Sequence, residues 1–153
     1  MATRNQVVRL VRQDAGLSQR ELARRLGTSR SVLSAIESDQ RDVSDDVYEA
    51  ILRAARARPS VLLAAHRDEL LSLAARYGLT QLRVFGSAAR GDDGPGSDVD
   101  ILAHLDDQHR GRPLHVFGFS QDAERILGFS VDLVLDDSVG DAMAQILDEA
   151  IPL

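Results

Sequence analysis

The sequence contains no cysteine and no tryptophan, and aromatic residues make up only 4% of it. The missing cysteine excludes disulfides and thiolate-held metals. No apolar run approaches the roughly 20 residues that a membrane-spanning helix needs. The start, Met1-Ala2-Thr3-Arg4, has no signal-peptide core. These absences read as a cytoplasmic protein with no membrane partner. No internal repeat or low-complexity tract interrupts the chain. Lysine is missing too: all 18 basic residues are arginine, a matter of codon usage rather than of function.

What is there is a hydrophobic content of 44% over 153 residues, enough for one medium domain or two small ones. The charge is divided. Residues 1–60 hold 11 arginines against 8 acidic residues, net +3, and residues 61–153 hold 7 against 16, net −9. A basic half joined to an acidic half predicts two domains with different partners. The boundary is expected in Ala54–Ser60, where Pro59 ends one helix and opens the next. That gives residues 1–58 and 59–153. The joint is short enough to keep the two halves from swinging freely.

The second half is organised around Val84-Phe85-Gly86-Ser87-Ala88-Ala89-Arg90-Gly91, running on to Ser97-Asp98-Val99-Asp100. An apolar run ends in Gly-Ser, and ten residues separate Ser87 from Asp98. Residues two apart on a strand share a face, so Asp98 and Asp100 would present paired carboxylates. Paired like charges call for a cation, and Mg²⁺ is the oxygen-seeking candidate. Gly86 permits close backbone approach, and Ser87 offers a hydroxyl and an N–H to a phosphate. A phosphate-holding turn beside a metal site suits transfer from a nucleoside triphosphate.

Gly-Ser, ten residues and Asp-x-Asp resemble the signature of the DNA polymerase β-like nucleotidyltransferases. Gly86–Gly91 is similar to the minimal nucleotidyltransferase (MNT) branch, and the likeness covers about Val61 to Leu153. It implies an α/β (α+β) domain with a small mixed sheet. Asp98 and Asp100 would hold two Mg²⁺ ions, and Gly86 and Ser87 would seat the phosphates of ATP. Arg90 would contact phosphate or acceptor. Asp132, an isolated acid in Phe129–Leu135, matches the family's third carboxylate, which ligates metal and accepts the proton of the attacking hydroxyl.

The first half reads as an all-α helix-turn-helix. Val8 and Val11 start an apolar helical stripe closed by Gly16. Ser18-Gln19-Arg20-Glu21 is a capping box for the second helix. Gly27-Thr28 is a tight turn, with Thr28 or Ser29 capping the third. Ser44-Asp45-Asp46 starts a fourth, whose buried side is expected to be Val47, Ile51 and Leu52. Gly16–Ala23 and Ile36-Glu37 resemble the lambda-repressor-like, Xre-type DNA-binding domain, over about Gln6 to Ala55. The resemblance implies that helix Ser29–Glu37 enters the major groove, with Thr28, Ser29, Arg30, Ser31 and Ser34 on the DNA face. Arg30 would read guanine, Gln19 would clamp a phosphate, and Arg20 or Arg41 would add charge. Two departures stand out: the family's glycine after Glu37 and its proline near the fourth helix are both missing, and Asp39 and Asp42, which stand in that stretch, would lie near the DNA backbone and weaken binding.

Elsewhere a single helix is expected over Ser60–Tyr77, with His66 half-buried on its apolar stripe. Strands are expected over Thr80–Phe85, Ser97–Leu105 and Phe129–Leu135, and helices over Ser87–Arg90, Leu114–Leu127 (weakened by Gly118) and Gly140–Glu149. Asp92 and Asp93 read as solvated turn residues. His104, His109 and His115 have no metal-ligand spacing and read as surface histidines. Ala150–Leu153 reads as an edge segment.

Small MNT proteins resemble the antitoxin half of HEPN/MNT toxin–antitoxin pairs. This implies AMP transfer from ATP to a tyrosine hydroxyl of a cognate HEPN ribonuclease toxin. The helix-turn-helix adds operator DNA as a partner and autorepression as a role, through a homodimer or a hetero-oligomer with the toxin. The alternatives are a transcriptional regulator with a non-catalytic nucleotidyltransferase domain and a nucleotidyltransferase acting on RNA. The net charge of −9 over residues 61–153 disfavours RNA.

Overall fold

The structure is a computed structural model that describes residues 2–106, 113–137 and 141–153, the side chains of residues 113–117 and 141–142 excepted. Helices α1 (Arg4–Asp14), α2 (Gln19–Arg25), α3 (Arg30–Glu37) and α4 (Asp45–Ala55) form the first half. Helices α5 (Pro59–Ala65) and α6 (Arg67–Arg76) follow, then β1 (Leu79–Phe85), α7 (Gly86–Arg90) and β2 (Val99–Leu105). The chain closes with α8 (Pro113–Leu127), β3 (Val131–Leu135), α9 (Asp141–Glu149) and β4 (Ile151–Pro152).

Local chemistry accounts for the helix ends. The reciprocal capping box lies on α1, where Thr3 accepts from Gln6 N and Gln6 reaches back. At α2 the Ser18 hydroxyl accepts from Glu21 N at 3.1 Å, the half of the expected box that is made. Ser29, not Thr28, caps α3. On α4 the buried residues are Tyr48, Ile51 and Ala55, while Val47 is 43% exposed. Ile51 is buried as expected and Leu52 packs against the core, but at the start of the helix the Tyr48 ring, not Val47, turns inward. Asp39 takes the left-handed conformation, φ +57°, just beyond α3. Its carboxylate accepts from Asn5 Nδ2 at 2.9 Å, which holds a conformation that glycine adopts freely.

The expected single helix over residues 60–77 is two helices that break at His66 (φ −104°, ψ +14°). His66 is 7% exposed, more buried than expected, and its Nδ1 lies 3.0 Å from Glu69 Oε2 in the first turn of α6. Gly118 has a packing reason. A Cβ there would lie 2.8 Å from Tyr77 Cε1, and the Tyr77 ring meets Phe119 edge-on at 6.1 Å.

The four strands lie in the order β3-β2-β1-β4, with β2 and β3 parallel and the other pairs antiparallel. Alternation sorts β2. Val99, Ile101, Ala103 and Leu105 point into the main core beneath the helices, and Asp100, Leu102 and His104 point the other way. A bulge at Gln81 (φ +51°) interrupts β1 between Thr80 and Arg83. β4 is the expected edge segment, and its proline suits a strand edge. His104 is half-buried on β2 with Nδ1 2.9 Å from Asp136 Oδ1, rather than free at the surface. His109 lies outside the described residues, as does the His115 side chain.

The core runs without a break from α1 through α5 to the sheet. Arg58 fastens the joint, with Nη2 2.6 Å from Asp14 Oδ1 and Nη1 3.5 Å from Asp93 Oδ1. Asp93 is therefore not the solvated turn residue expected. It is 5% exposed and accepts from the backbone N–H of Ser60 at 2.7 Å. Its neighbour Asp92 stays exposed.

Candidate functional site

β1 delivers Gly86 to the end of the sheet, and the strand pairings fix what surrounds it. Phe85 is opposite Asp100 on β2, and Asp100 is opposite Asp132 on β3. Opposed residues on neighbouring strands share a face about 4.8 Å apart, so Asp100 and Asp132 are adjacent. Asp98 falls one residue before β2 begins, on the loop rather than the strand, and still acts electrostatically on Asp100. Gly86 has φ +68°, and a Cβ on it would lie 3.0 Å from Asp100 Cγ and closer still to Oδ2. The glycine is thus required twice, by its conformation and by the carboxylate seated over it.

The acids perturb one another. Burial first, then the charges of Asp132, Asp98 and Glu149, push the Asp100 carboxyl above the usual carboxylate range, with Arg90 acting against them. Carboxylates set together at a partly buried place are the donor set of a hard divalent cation, so the residues present fit Mg²⁺. The fit is one of donor chemistry: among the described residues no group of three or more acidic or histidine side chains stands, as placed, where it could hold a metal ion.

Two expected residues are engaged in ways the sequence did not suggest. Arg90 donates from Nη1 to Glu149 Oε2 at 3.1 Å and from Nε to Asp92 Oδ2 at 3.4 Å. The Gly86 N–H donates to Glu149 Oε1 at 3.4 Å. Glu149 is the site residue that sequence reasoning missed. It closes a helix of ordinary composition, and no motif marks it. Ser87 is half-buried, and its carbonyl accepts from the N–H of Gly91 and of Asp92 at the end of α7.

In the first half, α3 presents Arg30 to solvent at its start. The Ser29 hydroxyl caps Val32 N at 3.3 Å and meets the Ser31 hydroxyl at 2.8 Å. Thr28 is exposed beside them and Ser34 is half-buried. A cleft of about 390 Å³ is lined by Ser18, Gln19, Arg20 and Arg30, and Gln19 also lines a neighbouring cleft with Ser34. Gln19 Nε2 donates to Glu37 Oε2 at 3.0 Å, and a primary amide keeps a second N–H for another acceptor. Glu37 in turn takes Arg12 in a bidentate pair at 2.6 and 2.9 Å. Burial alone would raise the Glu37 carboxyl, but the bonds from Arg12 and Gln19 outweigh it and hold Glu37 below the usual range.

Family comparisons decide the assignment. Residues 64–151 match the nucleotidyltransferase domain family. The chain belongs to that family. Residues 8–62 match the helix-turn-helix family, so the first half is a helix-turn-helix fold. The chain is 36% identical over 84 residues to the protein adenylyltransferase MntA of Thermococcus cleftensis, covering 55% of this chain and 80% of that protein. It is similar to a solved minimal nucleotidyltransferase, at 37% identity and TM-score 0.55 over 61% of this chain and 95% of the other. A toxin–antitoxin structure with AMP-PNP is more distant, at 23% identity and TM-score 0.44 over 56% and 69%, and carries no weight for function. No helix of the described residues is long and apolar enough to cross a membrane.

Proposed function

We propose that this nucleotidyltransferase is an antitoxin. It transfers AMP from ATP to a tyrosine hydroxyl of a cognate HEPN ribonuclease toxin, and it represses its own operon through the helix-turn-helix. The observation that carries the reading is Asp100, set against Gly86 on one side and Asp132 on the other, in a chain that over 84 residues is 36% identical to a protein adenylyltransferase.

Asp98, Asp100 and Asp132 would hold the two Mg²⁺ ions, which, when bound, offset the charge of a triphosphate and of its leaving pyrophosphate. Gly86 and Ser87 seat the β and γ phosphates, and Arg90 adds a cation. Asp132 is exposed beside Asp100 on the neighbouring strand, and it takes the proton of the attacking hydroxyl. The new bond joins the acceptor oxygen to the α-phosphorus. The bond to the β-phosphate oxygen breaks, and pyrophosphate leaves.

Arg30, Ser29, Ser31, Thr28 and Ser34 form the DNA face, with Gln19 and Arg20 at its phosphate edge. One such unit reads a half-site, so operator binding requires a dimer or an assembly with the toxin. The two activities are separable. Replacing Asp98 and Asp100 with Asn abolishes AMP transfer and leaves operator binding intact. Retained transfer by that double variant would sink the assignment.

A further inference from the structure

The turn that would receive phosphate already holds a carboxylate from its own chain. Glu149 spans two donors, the Gly86 N–H at 3.4 Å from Oε1 and Arg90 Nη1 at 3.1 Å from Oε2. The placement is built into the fold. Two residues beyond Glu149, Ile151 pairs with Val84 of β1, two residues before Gly86, and Leu153 N donates to Leu82 O at 3.0 Å. β4 therefore pins the end of α9 to the same strand that delivers the turn. A carboxylate and a phosphate use the same donors, a backbone N–H and a guanidinium.

We propose that the Glu149 carboxylate sits in the seat of a nucleotide phosphate and must be displaced before a nucleoside triphosphate engages Gly86 and Arg90. The proposal rests on the nucleotidyltransferase reading above, and it assigns to α9 a residue that sets nucleotide affinity. Both Glu149 oxygens accept from donors, the Gly86 N–H and the Arg90 guanidinium, as the oxygens of a phosphate would. The Glu149 side chain is 29% exposed, so a change of rotamer can release it without unfolding α9. An incoming phosphate then replaces the carboxylate on Arg90 and leaves Glu149 to solvent. Because one anion is exchanged for another at the same donors, the latch lowers nucleotide affinity without removing the seat.

The test measures binding of a fluorescent ATP analogue in EDTA, where phosphate contacts are read apart from metal ligation. Glu149→Gln removes the charge, Glu149→Ala removes the side chain, and Asp148→Asn is the neighbouring control. Both Glu149 variants are expected to bind about fivefold more tightly, the scale of a partly exposed ion pair, with Asp148→Asn unchanged. Because the Glu149 charge also acts on Asp100, manganese affinity without nucleotide is expected to fall only slightly, with the electron paramagnetic resonance spectrum of the bound ion unchanged. Equal or weaker ATP binding by both variants overturns the latch. A changed spectrum or a roughly tenfold or greater loss of manganese affinity in both overturns it too, and makes Glu149 a metal ligand. If wild type and variants all fail to bind ATP even with Mg²⁺, the nucleotide-seat reading itself fails and takes the latch with it.

Discussion

Replacing Gly86 with Ala tests the geometry of the site without relying on any reaction. Two costs are separable. At φ +68° a Cβ is strained, which costs about 1 kcal/mol. The Cβ would also lie 3.0 Å from Asp100 Cγ, and closer to Oδ2, on a carboxylate held by its strand. Moving that carboxylate aside costs about 2 kcal/mol, on the scale of overpacking. Gly86→Ala should therefore lose about 3 kcal/mol, or roughly 6–12 °C in Tm for a chain of this size. In an Asp100→Ala background the carboxylate is gone and only the backbone strain stays, about 1 kcal/mol. Thermal and urea unfolding of the four proteins of this cycle should give a coupling of about 2 kcal/mol. Equal costs of Gly86→Ala in both backgrounds would refute the close approach of Asp100 to Gly86.

Two further predictions concern charge. Asp100 is raised by burial and by Asp132, Asp98 and Glu149, so folding favours its protonated form. Its stabilising contribution is present at low pH and lost as pH rises through the folded pKa, above the usual carboxylate range. Asp100→Asn should therefore raise metal-free stability at pH 7 by roughly 0.5–1 kcal/mol after solvent screening. The gain should vanish below the usual carboxylate range, and identical melting curves at pH 7 would contradict it. Glu37 has the opposite sign. Its carboxyl is held low, so its contribution is present at neutral pH and is lost as pH falls through its depressed pKa. Arg12 and Glu37 are 13% and 5% exposed, and Glu37→Ala, which leaves Arg12 without its buried partner, should cost about 3 kcal/mol by urea denaturation.

The spacing Gly-Ser, ten residues, Asp-x-Asp was legible because it records a backbone requirement and a charge requirement together. Gly86 and Asp100 meet in space as that motif implies. Asp132 was legible because an acid in an apolar strand needs a reason, and the register puts it beside Asp100. Glu149 was not legible. Its importance comes from β4 pairing with β1, a contact across more than sixty positions of chain that leaves no local pattern. Asp93 misled for a similar reason: Asp-Asp-Gly-Pro-Gly is turn chemistry, and burial came from Arg58 and Ser60 across the joint. The break at His66 was hidden by an apolar stripe that continues through it. In the first half, capping residues and apolar spacing placed the helices, and on the fourth only Val47 was misassigned, because Tyr48 beside it supplies the buried ring. The structure gives Asp39 the left-handed place that the missing glycine had left open, with Asn5 as its support.

One transfer assay tests adenylylation by this protein most directly. Wild-type protein is mixed with Mg²⁺, ATP labelled at the α-phosphate, and the protein encoded beside it, then read by gel and intact mass. The prediction is a partner heavier by one or more AMP units on a tyrosine, and no such gain with the Asp98→Asn, Asp100→Asn double variant. A partner that stays unlabelled while the wild-type protein binds metal and ATP, or label that appears on RNA instead, would contradict it.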